Sequence, residues 1–303
     1  MSLLAREHGV SERFAALGAE WLPGELLSRH TSLGVGGPAD LVRVRDTRRV
    51  PELVAYLEAH EVPWRILGVG SNLLVADEGL PDVVLQLVRG APIEVADNRV
   101  VVPAATSLGT AILECAKRNL GGMEGLVGVP GTLGGALRMN AGAYGTEMAD
   151  VVHTATLFKG ETREIGTVKA DHVGFKYRHT NLSIHDLVLS VTLELQDRPQ
   201  SEVLAHVKEL NRNRRASQPL QEESAGCMFK NPPGNSAGKM IASLGLKGSR
   251  LGGAVVSERH ANFIVNRNHA AAADILKLMD LVRGRVLEAF GVELEEEVVV
   301  WKE

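Results

Sequence analysis

Length, composition and charge already exclude several classes of protein. The chain has 303 residues, 45% of them hydrophobic, and a formal net charge of −4 at pH 7, which predicts two or three domains and argues against non-specific nucleic-acid binding. Its 32 glycines, about one residue in ten against a usual ~7%, follow no repeat, so collagen and low-complexity disorder are excluded.

The first 18 residues carry charged side chains where a signal peptide would have an apolar core. No segment approaches the ~18 uninterrupted apolar residues of a membrane-spanning helix. The two cysteines, Cys115 and Cys227, are too far apart in sequence for a metal-binding knuckle or a disulfide framework. We therefore expect a cytoplasmic protein with no membrane insertion and no bound metal.

Strands and helices alternate with short connections in the first 120 residues. Residues 47–60 have apolar side chains three and four residues apart, the spacing of a one-sided helix. Ser107 is the expected N-cap of a second helix over 107–119, in which Cys115 is a core residue. Strands are predicted over 64–67, 82–88 and 93–102, the last with a turn at 97–98.

Glycine becomes dense between residues 120 and 145, with nine glycines in 26 residues. Because glycine has no side chain, this stretch can contribute little to a hydrophobic core. We interpret it as backbone that closely approaches a bound molecule.

The remaining chain mixes strands and helices again, with a domain boundary predicted near residue 200. A second glycine-rich run spans 224–253, and Asn268 or His269 is expected to open the helix that comes after it. In chain order we predict strands over 151–158 and 186–195, a linker at 197–201, helices over 202–215 and about 270–290, and a final strand ending at Trp301.

The first candidate for chemistry is the turn Gly68-Val69-Gly70-Ser71-Asn72, which follows a predicted strand. Successive N–H groups in such a turn form a concave anion site suited to a pyrophosphate. The dinucleotide fingerprint of a doubly wound fold would need glycine in place of Leu73 and a helix directly after it. Taken alone, the segment supports anion binding and a plain tight turn equally.

A second glycine-rich loop, GVPGTLGGA, covers residues 128–136. Two such loops, each with a small hydroxyl residue, suit a ligand with two phosphates or an extended dinucleotide, and we favour binding over a pair of plain turns. The segment GNSAGKM, 234–240, has neither the spacing of a Walker loop nor a hydroxyl residue after its lysine, so a Walker-type NTPase is disfavoured.

The third candidate is Cys227, in the segment SAGCMFKNP. A thiol on a glycine-flanked turn can face a ligand, and Lys230 would attract anions, but a cysteine outside a disulfide is as often a small buried hydrophobe. Considered alone, Arg178 has the pattern of a solvated arginine and Glu297 that of a surface carboxylate.

Seven segments in order along the chain resemble one family. They are HTSLGVGGPADL (30–41), ILGVGSNLLVADEG (66–79), GMEGLVGVPGTLGGALRMNAGAYG (122–145), FKYRHT (175–180), SAGCMFKNP (224–232), AGKMI (237–241) and HANFIVN (260–266). Together they resemble the UDP-N-acetylenolpyruvoylglucosamine reductases, also called UDP-N-acetylmuramate dehydrogenases, the flavoenzymes of bacterial peptidoglycan precursor synthesis. The resemblance runs from about residue 28 to residue 300, and the compact C-terminal region matches the shorter class of the family.

The resemblance implies an α+β fold. A FAD-binding domain of the vanillyl-alcohol-oxidase (PCMH) type would cover 28–200, in subdomains of about 28–90 and 91–200, followed by an α+β substrate-binding domain over 201–303, with 1–27 as an N-terminal extension. FAD would lie between the subdomains. The residues implied in cofactor binding are Gly68, Val69, Gly70, Ser71, Asn72, Leu73, Gly128, Pro130, Gly131, Thr132, Gly134, Gly135, Ala136, Asn140 and Gly142.

The same resemblance implies reduction of UDP-N-acetylenolpyruvoylglucosamine to UDP-N-acetylmuramate with NADPH as co-substrate. Hydride from flavin N5 would add to C3 of the enol ether, and Cys227 would donate a proton to C2 as general acid. Arg178 would stabilise the negative charge that develops, and Glu297, protonated or hydrogen-bonding, would assist. Lys230, Asn231 and Lys239 would contact the phosphates or carboxylate of the sugar nucleotide.

Two residues depart from the commonest family pattern. Cys227 stands where many members have serine, which predicts inactivation by oxidation or alkylation, and Thr180 stands where serine is usual. The acidic run 295–297 leaves the position of the charge-stabilising glutamate open by a residue or two.

Two alternative functions remain: an FAD oxidase of the same superfamily acting on a small alcohol, and a non-catalytic nucleotide-binding module. The sequence indicates no oligomeric state.

Overall fold

The computed structural model describes residues 9–88 and 92–302, in which helices and strands are mixed along the chain. The helices are α1 Val10–Ala16, α2 Val50–Ala59, α3 Leu108–Ala116, α4 Leu133–Arg138, α5 Ala170–Val173, α6 Gln200–Ser217, α7 Ala237–Ser243 and α8 Ala272–Phe290. The strands are β1 Ala19–Leu26, β2 Pro38–Val44, β3 Trp64–Leu67, β4 Leu73–Val75, β5 Val83–Leu87, β6 Glu94–Ala96, β7 Arg99–Pro103, β8 Leu120–Gly121, β9 Gly142–Ala143, β10 Thr146–Glu147, β11 Val152–Lys159, β12 Glu164–Lys169, β13 Leu187–Glu194, β14 Gln196–Asp197, β15 Glu223–Cys227, β16 Arg250–Leu251, β17 Ala254–Val256, β18 Phe263–Asn266 and β19 Val299–Trp301.

Two compact units divide these elements. The first consists of Met1–Gly24, Asp40–Gly68 and Asp82–Arg214. The second consists of Glu25–Ala39, Val69–Pro81 and Arg215–Glu303. The sequence predicts a single domain boundary near residue 200. The two units do not divide the chain at one boundary, because the early segments 25–39 and 69–81 belong to the same unit as the C-terminal residues.

The first unit contains two sheets. Strands β1, β2, β5 and β3 form one sheet in that order, with β5 parallel to both β2 and β3. The apolar face of α2 is buried in the same hydrophobic core as that sheet. An antiparallel sheet in the order β12-β11-β13-β7-β6 contributes to a second core together with α3 and α4. Cys115 is a core residue, as predicted: it is 2% exposed, and burial raises its pKa to about 11.

The second unit is built on the antiparallel sheet β15-β18-β17-β16. Helix α8 packs against β16 and β17 with a buried stripe that includes Ile275, Leu278 and Val282. Strand β19 pairs in parallel with β4, so Val299 lies opposite Leu73. That pairing holds the C-terminal strand next to the end of the glycine turn at 68–72.

Most of the predicted elements are confirmed within one to three residues of their ends, and Ser107 caps α3 by accepting a hydrogen bond from the Thr110 N–H at 3.1 Å. The predicted linker at 197–201 is wrong. Residues 196–197 pair as β14, and α6 begins at Gln200, where the Pro199 carbonyl accepts the N–H groups of Glu202 and Val203.

The predicted opening of α8 by Asn268 or His269 is also wrong. Both residues have left-handed backbone conformations, with φ of 61° and 56°, and the helix starts after Ala271. The carboxylate of Asp77, distant in sequence, accepts the N–H groups of Ala272 at 2.8 Å and Ala273 at 3.1 Å. A cap supplied from another segment leaves no local trace in the helix sequence.

Within 9–88 and 92–302, no helix is long and apolar enough to cross a membrane. The same residues contain no group of three or more His, Cys, Asp or Glu side chains arranged to hold a metal ion.

Candidate active site

The turn at 68–72 connects β3 to β4 and presents backbone N–H groups. Gly70 has φ of 62°, and a Cβ there would lie 2.1 Å from the His30 carbonyl oxygen, so the chain's own packing requires glycine. The N–H groups of Val69, Gly70 and Asn72 donate to no acceptor in the described part of the chain. Unsatisfied N–H groups in a tight turn fit an anionic group such as a pyrophosphate.

The side chain of Asn72 holds the C-terminal segment. Its Nδ2 donates to the Glu297 carbonyl at 3.0 Å, and its backbone carbonyl accepts the Val299 N–H at 3.1 Å. These bonds fix the amide, so any contact of Asn72 with a cofactor pyrophosphate uses its backbone N–H or the remaining amide hydrogen. The predicted cofactor turn and the predicted glutamate are thus directly hydrogen-bonded.

The loop at 128–136 owes part of its glycine content to packing against the protein itself. A Cβ on Gly134 would lie 2.9 Å from the Cβ of Ala104, and the Gly134 N–H donates to the Ala104 carbonyl at 3.0 Å. Close packing against Ala104 is by itself a reason for glycine at 134, and a contact of this residue with the cofactor stays a prediction. The N–H groups of Gly131 and Thr132, by contrast, have no acceptor among the described residues and could bind a ligand.

Arg178 lies in a tight turn of the first unit. The backbone of Lys176 and His179 exchanges two hydrogen bonds, of 3.0 and 3.1 Å, across it. Arg178 has a left-handed φ of 53°, unusual for a residue other than glycine, and its guanidinium donates to the Gly142 carbonyl at 2.9 Å. The side chain is held in place instead of extending freely into solvent.

Asn140 organises the same region from the inside. It is 1% exposed, and its Nδ2 donates to Glu147 Oε2 at 2.8 Å and to the Lys176 carbonyl at 3.0 Å. Its Oδ1 accepts the Ala149 N–H at 3.0 Å. Because both hydrogens of the amide are engaged within the protein, this side chain positions the Arg178 loop and has no hydrogen left to donate to a cofactor.

Cys227 ends β15 in the second unit. The residue before it, Gly226, has φ of 77°, and a Cβ added to Gly226 would meet nothing within 4 Å. Open space therefore adjoins the backbone next to the thiol. Cys227 is partly exposed, in contrast to the buried Cys115, as a residue that must reach a ligand requires.

The three glutamates of the acidic run 295–297 have different hydrogen-bond and ion-pair partners. Lys230 Nζ lies 3.3 Å from Glu295 Oε2, and Arg283 pairs with Glu296. Glu297 instead donates its backbone N–H to the Met228 carbonyl at 2.8 Å, directly beside Cys227. In the second unit the Glu297 backbone thus bonds both Asn72 and the residue that follows Cys227, and Glu297 is the glutamate that the motif indicated.

The three predicted substrate residues follow Cys227 in the chain. The Nζ of Lys230 forms the ion pair with Glu295 just described. Asn231 Oδ1 accepts the Ala237 N–H at 3.0 Å, at the start of α7, and Lys239 is exposed on that helix. Lys230 and the fixed amide of Asn231 thus follow Cys227 closely in the chain, whereas Lys239 lies on α7, the helix whose first N–H bonds Asn231.

Residues that sequence reasoning missed hold this site in position. Ser32 Oγ donates to the Ser224 carbonyl at 2.7 Å, three residues before Cys227. Asn262, which is 3% exposed, forms two side-chain hydrogen bonds to the backbone of Phe229. Both residues lie in segments that resemble the family, but no local pattern distinguishes an asparagine or serine that bonds a distant backbone from one in an ordinary turn.

Comparison with known proteins identifies the family. Residues 218–301 match the UDP-N-acetylenolpyruvoylglucosamine reductase C-terminal domain, and residues 38–165 match an FAD binding domain. The chain is 44% identical to UDP-N-acetylenolpyruvoylglucosamine reductase 2 of Symbiobacterium thermophilum over 91% of both chains. It is 41% identical to the reductase of Heliobacterium modesticaldum, over 93% of this chain and 90% of that one.

A solved structure supports the same assignment. The UDP-N-acetylenolpyruvylglucosamine reductase of Thermus caldophilus is 40% identical and superposes with a TM-score of 0.81, covering 94% of this chain and 100% of that one. The predicted α+β fold with an FAD-binding domain is thereby confirmed. The chain belongs to the UDP-N-acetylenolpyruvoylglucosamine reductase family and is an FAD-binding oxidoreductase.

Proposed function

We propose that the chain reduces UDP-N-acetylenolpyruvoylglucosamine to UDP-N-acetylmuramate with NADPH, in the cytoplasm, as a step of peptidoglycan precursor synthesis. The observation that carries the proposal is the hydrogen bond of 2.8 Å from the Glu297 N–H to the Met228 carbonyl. It holds the backbone of Glu297 at the residue that follows Cys227. Reduction of an enol ether needs a proton donor and a group that stabilises developing charge at one place.

The FAD binding domain supports FAD as the cofactor, and the N–H groups of Val69, Gly70 and Asn72 in one unit, like those of Gly131 and Thr132 in the other, are donors that suit phosphate oxygens. Bound there, FAD would supply the hydride chemistry of the reaction, from NADPH to the flavin and from flavin N5 to C3 of the enolpyruvyl group. The predicted cofactor residues fall within 28–200 and the predicted substrate residues within 201–303. We therefore propose that residues 28–200 bind the cofactor and residues 201–303 bind the substrate.

Cys227 donates its Sγ proton to C2, as the electron pair of the double bond moves to that carbon. The resulting thiolate then takes up a proton from solvent. A positioned general acid contributes about 10²- to 10⁴-fold to such a step. A thiol, with a reference pKa of about 8.5, releases its proton far more readily than the serine hydroxyl that many family members have here.

Arg178 stabilises the negative charge that builds up on C2 and its carboxylate, and Glu297 assists in its protonated form by donating a hydrogen bond. The bond from Arg178 to the Gly142 carbonyl fixes the guanidinium before substrate arrives, so little reorganisation is needed in the transition state. Lys230, Asn231 and Lys239 bind the phosphates or the carboxylate of the sugar nucleotide. The bond of Asn231 to the Ala237 N–H orients its amide for that contact.

The first test is the overall reaction. The purified protein should be yellow, with flavin absorbance bands, and should oxidise NADPH when UDP-N-acetylenolpyruvoylglucosamine is supplied and not when it is omitted. A colourless protein that FAD cannot reconstitute would contradict the proposal. Oxygen consumption with a small alcohol and no response to the sugar nucleotide would favour an oxidase instead.

The variant Cys227→Ala tests the role of Cys227 as general acid, because it removes the proton donor and leaves the other proposed site residues in place. Reduction of the flavin by NADPH should change by no more than about twofold, whereas reoxidation by the enolpyruvyl substrate should slow by about 10²- to 10⁴-fold, as rapid-mixing absorbance would show. Cys227→Ser should retain substantial activity because a hydroxyl can still donate. Equal losses in both half-reactions would mean that the residue is structural.

The three glutamates are distinguished in the same assay. Glu297→Gln should slow reoxidation at saturating substrate by about 10²-fold because an amide replaces the more acidic O–H donor of the protonated carboxyl group. Glu295→Gln and Glu296→Gln are matched controls: their side chains form exposed ion pairs, and each change should alter the rate by less than about twofold. A large effect in either control and none at Glu297 would reassign the role.

A further inference from the structure

We infer that Asn262 is a positioning residue for the reaction proposed above: its side-chain amide clamps the backbone that holds Cys227 and Glu297 together. This inference rests on the proposed function, because Asn262 can position Cys227 and Glu297 for the reduction only if the chain catalyses it. The contacts that support it belong to the second unit and concern residues that follow Cys227 directly.

The regular ladder between β15 and β18 is interrupted just before Cys227. Glu223 lies opposite Asn266 and Ser224 opposite Val265, but the register then shifts, and Cys227 lies opposite Phe263. The bulge at 225–226 frees the strand from its even pairing. Contacts beyond the bulge must therefore fix the segment that follows the thiol.

Asn262 makes those contacts. Its Nδ2 donates to the Phe229 carbonyl at 2.7 Å, and its Oδ1 accepts the Phe229 N–H at 3.1 Å. Its own carbonyl accepts the Met228 N–H at 2.8 Å. The side-chain amide thus pairs with one residue as a neighbouring strand would, and three bonds hold the two residues after Cys227.

The opposite side of the same two residues holds Glu297. The Met228 carbonyl accepts the Glu297 N–H at 2.8 Å, and Phe229 forms an isolated bridge with Glu296. The Met228 peptide therefore lies between Asn262 and the acidic run. A displacement of that peptide would move the thiol of Cys227 and the carboxyl of Glu297 at the same time.

Burial makes this clamp specific. Asn262 is 3% exposed, Met228 0% and Phe229 1%, so water cannot readily replace a lost hydrogen bond. A side chain must supply one donor and one acceptor to satisfy both backbone groups of Phe229. Among side chains of this size the asparagine amide does so, whereas an ionised aspartate has only acceptors.

The test is Asn262→Asp, which keeps the shape and removes the donor. We expect reoxidation of the reduced enzyme at saturating UDP-N-acetylenolpyruvoylglucosamine to slow by about 10²-fold, the loss typical of a misplacement near 1 Å. The half-saturating substrate concentration and the rate of flavin reduction by NADPH should each change by no more than about twofold. A merely structural loss would lower both half-reactions alike and would overturn the proposal.

Asn266→Asp is the matched control. Asn266 is the last residue of β18, the strand that begins directly after Asn262, and its amide also bonds two backbone groups, the Leu33 carbonyl at 2.9 Å and the Ala270 N–H at 2.7 Å. We expect it to lower the melting temperature without separating the two half-reactions. The same separation in this control would overturn the specific role of Asn262. If Asn262→Asp does not fold, Asn262→Ser, which removes the two-point contact without adding charge, is measured in its place.

Hydrogen exchange distinguishes failure of this inference from failure of the proposed function. In the folded Asn262 variant, backbone amides of 227–230 and 295–298 should exchange faster together, whether or not the wild-type protein accepts the enolpyruvyl substrate. Unchanged exchange in 295–298 would overturn the clamp. A wild-type protein inactive with that substrate would instead refute the proposed function.

Discussion

The backbone of Met228 is the constraint on which the candidate active site depends. Its N–H donates to the Asn262 carbonyl and its carbonyl accepts the Glu297 N–H, both at 2.8 Å. Asn262 and Glu297, which are far apart in sequence, thereby both bond the residue that follows Cys227. The Glu297 carbonyl in turn accepts Asn72 Nδ2, so the glycine turn joins the same chain of bonds. Backbone hydrogen bonds, which have little freedom to rearrange, set this geometry before any substrate binds.

A buried asparagine organises each of the two functional segments. In the first unit Asn140 uses its amide to hold the loops around Arg178, and in the second Asn262 holds the residues after Cys227. Arg178 and Asn140 both have left-handed backbones, with φ of 53° and 41°. Such conformations cost about 1 kcal/mol or more at residues other than glycine, and the surrounding hydrogen bonds offset that cost. Strain of this kind is characteristic of positions where a side chain must point in one direction.

Local patterns predicted the elements well and the long-range contacts poorly. Apolar spacing located α2, and Ser107 was recognisable as a cap because its acceptor lies three residues away. The cap of α8 could not be found, since Asp77 supplies it from a distant segment. The grouping of 25–39 and 69–81 with the C-terminal residues likewise depends on contacts that no window of sequence contains. The same holds for the hydrogen bonds on which the proposed roles of Asn262 and Glu297 rest. The order of the family segments indicated the site residues, and tertiary hydrogen bonds decided how they are held.

A double-mutant cycle on the oxidative half-reaction tests the central claim most directly. The rate of flavin reoxidation by the enolpyruvyl substrate is measured for wild type, Asn262→Asp, Cys227→Ala and the double variant. Because Asn262 acts through the segment that positions Cys227, the loss in the double variant should be much smaller than the product of the two single losses. Losses that multiply would show that the two residues act independently and would contradict the account.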